Sequence, residues 1–516
     1  MNDNKTSKNS IVAKFAVPIS FLILFFLAAN FTDCDLVTFW KRRSHLTDLV
    51  VDMIPPDFSY IQKILLPLFY TIQMSVTGTV LGIFFALVLS PFGAANLGFP
   101  AVIRRILRIV IQILRSFPAL ILALTATFLF GLGTFAGTFA ITLYTFAIMT
   151  KLTYEDASAA DVKAYQALRA MGVSKYVAYI HGILPEIIPG FLTNALYLLE
   201  TNVRHSSILG YVGAGGIGLL LNEKISWLEY DKVGTILLML FLTVCVIEYF
   251  SRYLAALIRK ERTIKKEQAR LLLLFLAALF LICTFTLSLP DFSRTSPQTL
   301  RNMFAGFLQP DWSFFFSAEK DGLGYLLLET VCIAFIGTVI GAIVSAPLAF
   351  LNTKRFVPAP VSFLFNLVIM VIRSVPFLVY GLIFIRVSGT GAFTGVLTLA
   401  VCSIGLLTKR FTEALDALDP RPYHALLAMG VRPLPAICHS VLPQLKPVFT
   451  SIILYRFDVN IREASVLGLV GAGGIGAPLI FSMNQYAWEK AGAIMLGLIL
   501  LVWFIDMVSE KIGAGN

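Results

Sequence analysis

Four arginines stand inside otherwise apolar stretches, and their spacing from acids and prolines defines the chemistry open to them. Arg115 and Arg373 lie about ten residues into an apolar segment, one turn before a proline. Arg204 and Arg462 follow Glu200 and Asp458 at i, i+4, so acid and base share one helix face. An ionisable group at the bilayer centre costs roughly 2.5–3.5 kcal/mol or more, which makes each a functional candidate. Two readings stay open. In one, each pair neutralises itself and fastens helices together. In the other, the guanidiniums face a path, where their forked donors suit a tetrahedral oxyanion. Asn202 and Asn460 are candidates for the same path, although two residues' displacement points them off that face, towards packing between helices.

Glycines form the second constellation. Val-Gly-Ala-Gly-Gly-Ile-Gly places Gly213, Gly215, Gly216 and Gly218 in one block and Gly471, Gly473, Gly474 and Gly476 in another. Each block fits the GxGxxG dinucleotide fingerprint, but that motif needs a strand before it and a βαβ unit around it. A membrane helix precedes these blocks instead. They read as a hinge or broken segment lining a cavity, or as a plain packing interface of small residues.

Other chemistry is excluded by what the sequence lacks. No GxxxxGK[ST] occurs, so ATP phosphates have no P-loop here. No GxSxG motif or carboxylate pair suggests an enzyme. The six cysteines are single, without a CxxC, and the five histidines lack HExxH spacing, so no metal site and no resident cofactor are expected.

The elements that position these residues follow from composition. At 57% hydrophobic and 14% charged residues, with mean hydropathy +0.81, the chain is a polytopic membrane protein. Backbone groups within hydrocarbon must pair inside each segment, so the spans are helices; short alternating barrel strands are absent. Many basic residues behind the net charge of +11 flank apolar segments, the positive-inside pattern, so nucleic acid is not the partner.

The chain is also duplicated. Arg115 to Gly218 recurs without a gap as Arg373 to Gly476, every anchor displaced by 258 positions. Arg-Ser-Phe-Pro118 returns as Arg-Ser-Val-Pro376, and Asn-Val-Arg204 as Asn-Ile-Arg462. A first module is expected over 1–257, with spans near 11–30, 64–90, 106–130, 133–151, 187–206 and 232–257. The first span is an uncleaved signal-anchor, preceded by Lys5, Lys8 and Lys14. A charged linker occupies 258–270. The second module covers 271–516, with spans near 271–289, 323–347, 362–386, 389–409, 440–459 and 489–509. The two cores cover about 65–255 and 324–510. The expected fold is all-α, with about twelve transmembrane helices as two parallel six-helix repeats. Basic short loops put both termini on the cytoplasmic side of the cell membrane.

Between the fourth and fifth spans, each copy carries a short helix, a Gly and then Leu-Pro. The first runs through Gln166, Ala167, Ala170 and Gly172 to Leu184-Pro185; the second through His424, Ala425, Ala428 and Gly430 to Leu442-Pro443. Gly suits the position after a helix end, and Pro is tolerated in the first turn of the next. Taken alone, this is an amphipathic helix lying at the interface.

This layout resembles the EAA loop of permease subunits of ATP-binding-cassette importers, with Gln166 and His424 where that family has Glu. The blocks around Gly131–Gly137, Thr412–Asp416, the two Asn-x-Arg motifs and the glycine blocks resemble the phosphonate-transport permeases. An acid expected after Arg-Ser-x-Pro is instead Ala119 or Phe377. The resemblance implies a type I importer permease with two copies fused, sharing one path. It also implies two ATPase subunits docked on the short helices, an extracytoplasmic substrate-binding protein, and phosphonate, phosphite or phosphate as cargo. An importer for another small solute, such as an amino acid or sulfonate, is the alternative. An ion-gradient-driven transporter is a second, and would favour intramembrane acids without basic partners.

Overall fold

The computed structural model describes residues 19–259, 265–288, 290, 297–317, 319 and 322–514. The polar start with its lysines, residues 11–18 of the first expected span, residues 260–264 of the linker, and the last two residues lie outside the described set. Among the described residues every regular element is helical. Eight helices are long and apolar enough to cross a membrane, three further pairs do so as bent spans, and Ile19–Phe31 is a shorter apolar helix. With each bent pair taken as one span these make eleven crossings among the described residues, and Ile19–Phe31 stands where the twelfth is expected.

The first-copy helices used below are α1 (Ile19–Phe31), α2 (Ile61–Gly93), α3 (Ala101–Ser116), α4 (Ala119–Phe130), α5 (Thr134–Ala159), α6 (Lys163–Ala170), α7 (Lys175–Gly182), α8 (Leu184–Leu209), α9 (Ile217–Ser226) and α10 (Tyr230–Ile258). After α11 (Lys266–Phe285) the second copy gives α12 (Leu323–Asn352), α13 (Ala359–Ser374), α14 (Phe377–Ser388), α15 (Ala392–Ala417), α16 (Arg421–Ala428), α17 (Leu442–Leu467), α18 (Gly476–Asn484) and α19 (Trp488–Ala514).

The third span of each copy differs from the single kinked helix expected at 106–130 and 362–386. It is two helices, α3 with α4 bent by 95° and α13 with α14 bent by 88°. The residue before a proline is pushed out of the helical region, and Phe117 is accordingly extended (φ −92°, ψ 129°). The apolar run is continuous, so hydropathy alone reads it as one span.

The chain forms two compact units. One contains 1–48, 305–373 and 377–516; the other contains 49–304 and 374–376. These units part from the sequence modules at the first span of each copy. Within the first unit, Phe21 on α1 meets the Phe335 ring of α12 edge-on at 5.5 Å, and Phe31 lies 4.9 Å from Tyr325. Within the second unit, Gln73 of α2 donates to the Cys283 carbonyl at 3.1 Å and the Thr286 hydroxyl at 2.8 Å. Each first span therefore groups with the core of the other copy.

Inside each unit, paired glycines let two long helices touch. A Cβ at Gly78 of α2 would lie 2.7 Å from Ile141, and one at Gly82 2.6 Å from Thr145, both on α5. The second copy repeats the arrangement, with Gly337 against Leu399 and Gly341 against Ser403 of α15. Lipid supplies no hydrophobic drive between helices, so this close approach is what holds the pair together.

Gly341→Val should consequently reduce the yield of monodisperse protein on size exclusion, because its Cβ would fall 2.4 Å from that of Ser403. Gly190→Ala should leave it unchanged, since the nearest atom there is 4.0 Å away.

Candidate functional site: glycine turns, intramembrane arginines and surface helices

Helix α8 ends at Leu209, and a 3-10 turn over Gly210–Val212 leads into the glycine block. Gly213, Gly215 and Gly216 all have φ near +80°, a region closed to most side chains. Gly471, Gly473 and Gly474 repeat this with φ of +77° after α17. Gly218 and Gly476 serve differently. They open the next helices, where a Cβ would fall 2.3 Å from the Ser207 carbonyl oxygen and 2.5 Å from that of Ser465. The chain thus doubles back on itself at each block.

Backbone donors exposed by this break find acceptors on neighbouring elements. Ile217 N–H donates to the Thr71 hydroxyl of α2 at 2.8 Å, and Ile475 N–H to Thr330 of α12 at 3.1 Å. Gly133 N–H donates to the Gly213 carbonyl at 3.1 Å, and Gly391 N–H to that of Gly471 at 2.9 Å. In the second copy the Glu329 carboxylate also accepts from Gly474 N–H at 3.1 Å. Thr71, Thr330 and Glu329 escape a reading of the sequence, since hydroxyls in apolar helices ordinarily bond their own backbone.

Asn202 and Asn460 are fully buried and lie between helices, away from the Arg face. Asn202 donates to Thr79 of α2 and Thr145 of α5, both at 2.8 Å; Asn460 donates to Thr338 at 2.6 Å and Ser403 at 2.9 Å. Each asparagine clasps three helices of its own unit.

The i, i+4 pairs form. Arg204 meets Glu200 at 2.9 Å, with side chains 13% and 6% exposed. Arg462 bonds Asp458 and lies 3.9 Å from Asp506 on α19. Arg115 and Arg373 close the last turns of α3 and α13, directly at the bends, and both are half-buried. The Arg373 stem lies over Gly405 of α15, where a Cβ would meet its Cγ at 2.9 Å. A further buried pair was not foreseen: Arg456 binds Glu463 at 2.7 Å, two turns along α17, and its Nε donates to Ser403 at 3.1 Å. Opposite charges at i, i+7 in an apolar span are its only trace in the sequence. The first copy has Leu198 and His205 at the corresponding positions.

The short surface helices are α6 and α16. Gly172 and Gly430 follow them with φ of +84° and +82°, and Leu-Pro opens α8 and α17. Gln166, Ala167, Ala170, His424, Ala425 and Ala428 are exposed, and Met171 and Met429 at the tips are 75% and 78% exposed. On the inner face, Tyr165 donates to the Leu97 carbonyl at 2.6 Å, and burial pushes its phenol above the ordinary value. Backbone and side-chain bonds from Lys163 hold the Asp161 carboxyl below the usual range. The two segments then diverge. In the first copy, α7 meets α8 at a 69° break; in the second, a π-helical turn over Ile437–Val441 carries the chain into α17 within one continuous span, Pro433–Val470.

Paired glycine turns, helical spans and exposed loop helices, all in duplicate, define the membrane component of a transporter. Residues 78–262 and 337–512 each match the family described as binding-protein-dependent transport system inner membrane component, and this chain belongs to it. It is accordingly a multi-pass inner-membrane protein and the permease part of its system. It is 27% identical over 473 residues to the phosphate-import permease protein PhnE of Mycolicibacterium smegmatis, covering 90% of this chain and 88% of that one. It is 36% identical over 184 residues to the phosphite transport system permease protein PtxC of Stutzerimonas stutzeri, covering 36% of this chain and 67% of that one. Among solved structures, an inward-facing MetNI methionine ABC transporter chain aligns at 22% identity, covering 39% of this chain and 99% of that one, with a TM-score of 0.36.

Gly218→Ala and Gly476→Ala are expected to lower the yield of folded protein further than Gly215→Ala does. At Gly215 the nearest atom to a Cβ is a Thr134 methyl at 3.2 Å, so the penalty there is mainly the positive φ. Fluorescence-detected size exclusion at matched expression reads the order of the three.

Proposed function

We propose that this chain is the fused permease of an ATP-binding-cassette importer that carries phosphorus oxyanions, namely phosphonate, phosphite or phosphate. The observation that carries the reading is the family match in both halves, joined to similarity with a phosphate-import permease along nine-tenths of the chain. The intramembrane arginines support it chemically, because guanidinium forks match tetrahedral oxyanions. Arg115 and Arg373 sit at the backbone bends, where helical packing is interrupted. Arg204 and Arg462 are held by acids on their own helices and contribute less net charge.

In this reading α6 and α16, each with its glycine and exposed methionine, dock one ATPase subunit apiece. ATP binding and hydrolysis act through these helices on α8 and α17, whose far ends carry the glycine turns. A substrate-binding protein delivers cargo from outside, and no cofactor is held in this chain. The basic loop at Arg104 and Arg105, the loop at Lys163, Arg169 and Lys175, and both termini face the cytoplasm. In sequence terms the first module is 1–257, the linker 258–270 and the second module 271–516. Against a gradient-driven transporter, the acids Glu200, Asp458 and Glu463 of the fifth spans all bind arginines, while Glu329 of α12 accepts from a backbone N–H.

The test is uptake of radiolabelled phosphate, phosphite and a phosphonate in cells lacking their own phosphorus importers. The chain is expressed there with the ATPase and binding protein that copurify with it in mild detergent. No uptake of any of the three would overturn the cargo assignment. Ala170→Glu with Ala428→Glu should abolish uptake at unchanged membrane abundance, and normal uptake would overturn the docking role. Arg115→Gln with Arg373→Gln should slow uptake about tenfold or more without loss of folded protein. Arg204→Gln should instead destabilise the protein by about 3–5 kcal/mol, because it removes the guanidinium that the buried Glu200 binds.

A further inference from the structure

The two glycine turns are not held alike. In both copies a threonine hydroxyl accepts from the isoleucine N–H that opens the next helix, Thr71 from Ile217 and Thr330 from Ile475. The residue just before that threonine differs. Aligning Thr71, Gly78, Thr79 and Gly82 with Thr330, Gly337, Thr338 and Gly341 sets Tyr70 opposite Glu329. Glu329 reaches the turn, its Oε2 accepting from Gly474 N–H at 3.1 Å. Gly474 itself has φ of +77°, so the peptide carrying that N–H is locked in a turn few residues could make.

We propose that Glu329 is a positioning residue that latches the second glycine turn and has no counterpart at the first. Two consecutive backbone donors of the second turn, at Gly474 and Ile475, are tied to consecutive side chains of α12. A carboxylate accepts more strongly than a hydroxyl, and where water is scarce a released N–H has no substitute acceptor. Asp33, beyond the end of α1, and Tyr325 and Cys332, on the turns of α12 before and after it, are ionisable neighbours of Glu329. They belong to the same compact unit as Gly474. The first turn, tied to α2 by the Thr71 hydroxyl, is the one free to rearrange first. This ordering of movement rests on the importer reading; the latch itself does not.

Hydrogen exchange on the purified full chain, read by mass spectrometry without ATPase or cargo, tests the latch. Peptides covering 471–476 should exchange about tenfold or more slowly than those covering 213–218. Glu329→Leu should erase that difference, and Glu329→Gln, whose amide oxygen can still accept, should restore most of it. Equal exchange of the two turns in the unmodified protein, or equal loss with Leu and Gln, would overturn the proposal. Should Glu329→Leu fail to fold, Tyr70→Glu offers the converse: it should slow exchange over 213–218, and no slowing would count against the latch. Uptake at matched abundance tests the consequence for transport, with Glu329→Leu several-fold slower and Glu329→Gln near normal. Unchanged uptake in the Leu variant would remove the latch from the cycle. If the unmodified chain imports no phosphorus oxyanion, the importer reading fails and the exchange data alone decide the latch.

Discussion

A backbone that leaves its helix inside a membrane must find new partners for every donor it frees, and the two glycine turns are built around that requirement. At each turn a threonine hydroxyl from the long helix that opens the core takes the isoleucine N–H leading into the next helix. Once that bond fixes α9 on α2 and α18 on α12, the loop between the third and fourth spans can close on the turn through Gly133 or Gly391. The glycine-lined contacts of α2 with α5 and α12 with α15 then set how close the walls stand. Asn202 and Asn460 complete the arrangement by bracketing the fifth span between those two helices. The turns, the close helix pairs and the asparagine clasps are one connected system in each unit.

Much of this was legible in the residues alone. The repeat at a fixed offset, the apolar runs, the glycine blocks and the helix–Gly–Leu-Pro segments each depend on local pattern, and each stands where the pattern puts it. The i, i+4 ion pairs belong to the same class, because one helix turn brings the partners together whatever surrounds it. What escaped depends on packing at a distance. Hydropathy could not divide α3 from α4, since both halves of the bend are equally apolar and only Phe117-Pro118 separates them. Arg456 and Glu463 sit two turns apart, beyond the reach of a single-turn rule. Thr71, Thr330 and Glu329 gain their meaning only from a turn more than a hundred residues away.

Duplication preserved the frame and let the details drift. The clasp keeps its asparagine while its acceptors change from Thr145 to Ser403. That single exchange accompanies a larger one nearby, where Ser403 also receives Arg456, a residue that replaces Leu198. The surface helices keep their exposed methionines, yet one leads into its span through a sharp break and the other through a π-helical turn. A protein with two separate identical permease chains could not diverge in this way, since every change would appear twice.

The grouping of each first span with the other copy's core bears on how the chain is made. Helix α1 leaves the ribosome roughly three hundred residues before α12, the helix its phenylalanines pack against. At about 5–20 residues per second, that is a wait of some fifteen seconds to a minute. Through that interval α1 is without α12, and its row of exposed apolar side chains suits it to a lipid surrounding. Helix α11, by contrast, emerges when its partner α2 is already in place. The two halves of this protein, nearly the same in plan, are therefore completed on different schedules: the half translated first waits for a helix that comes later, and the half translated second closes on one that has been waiting.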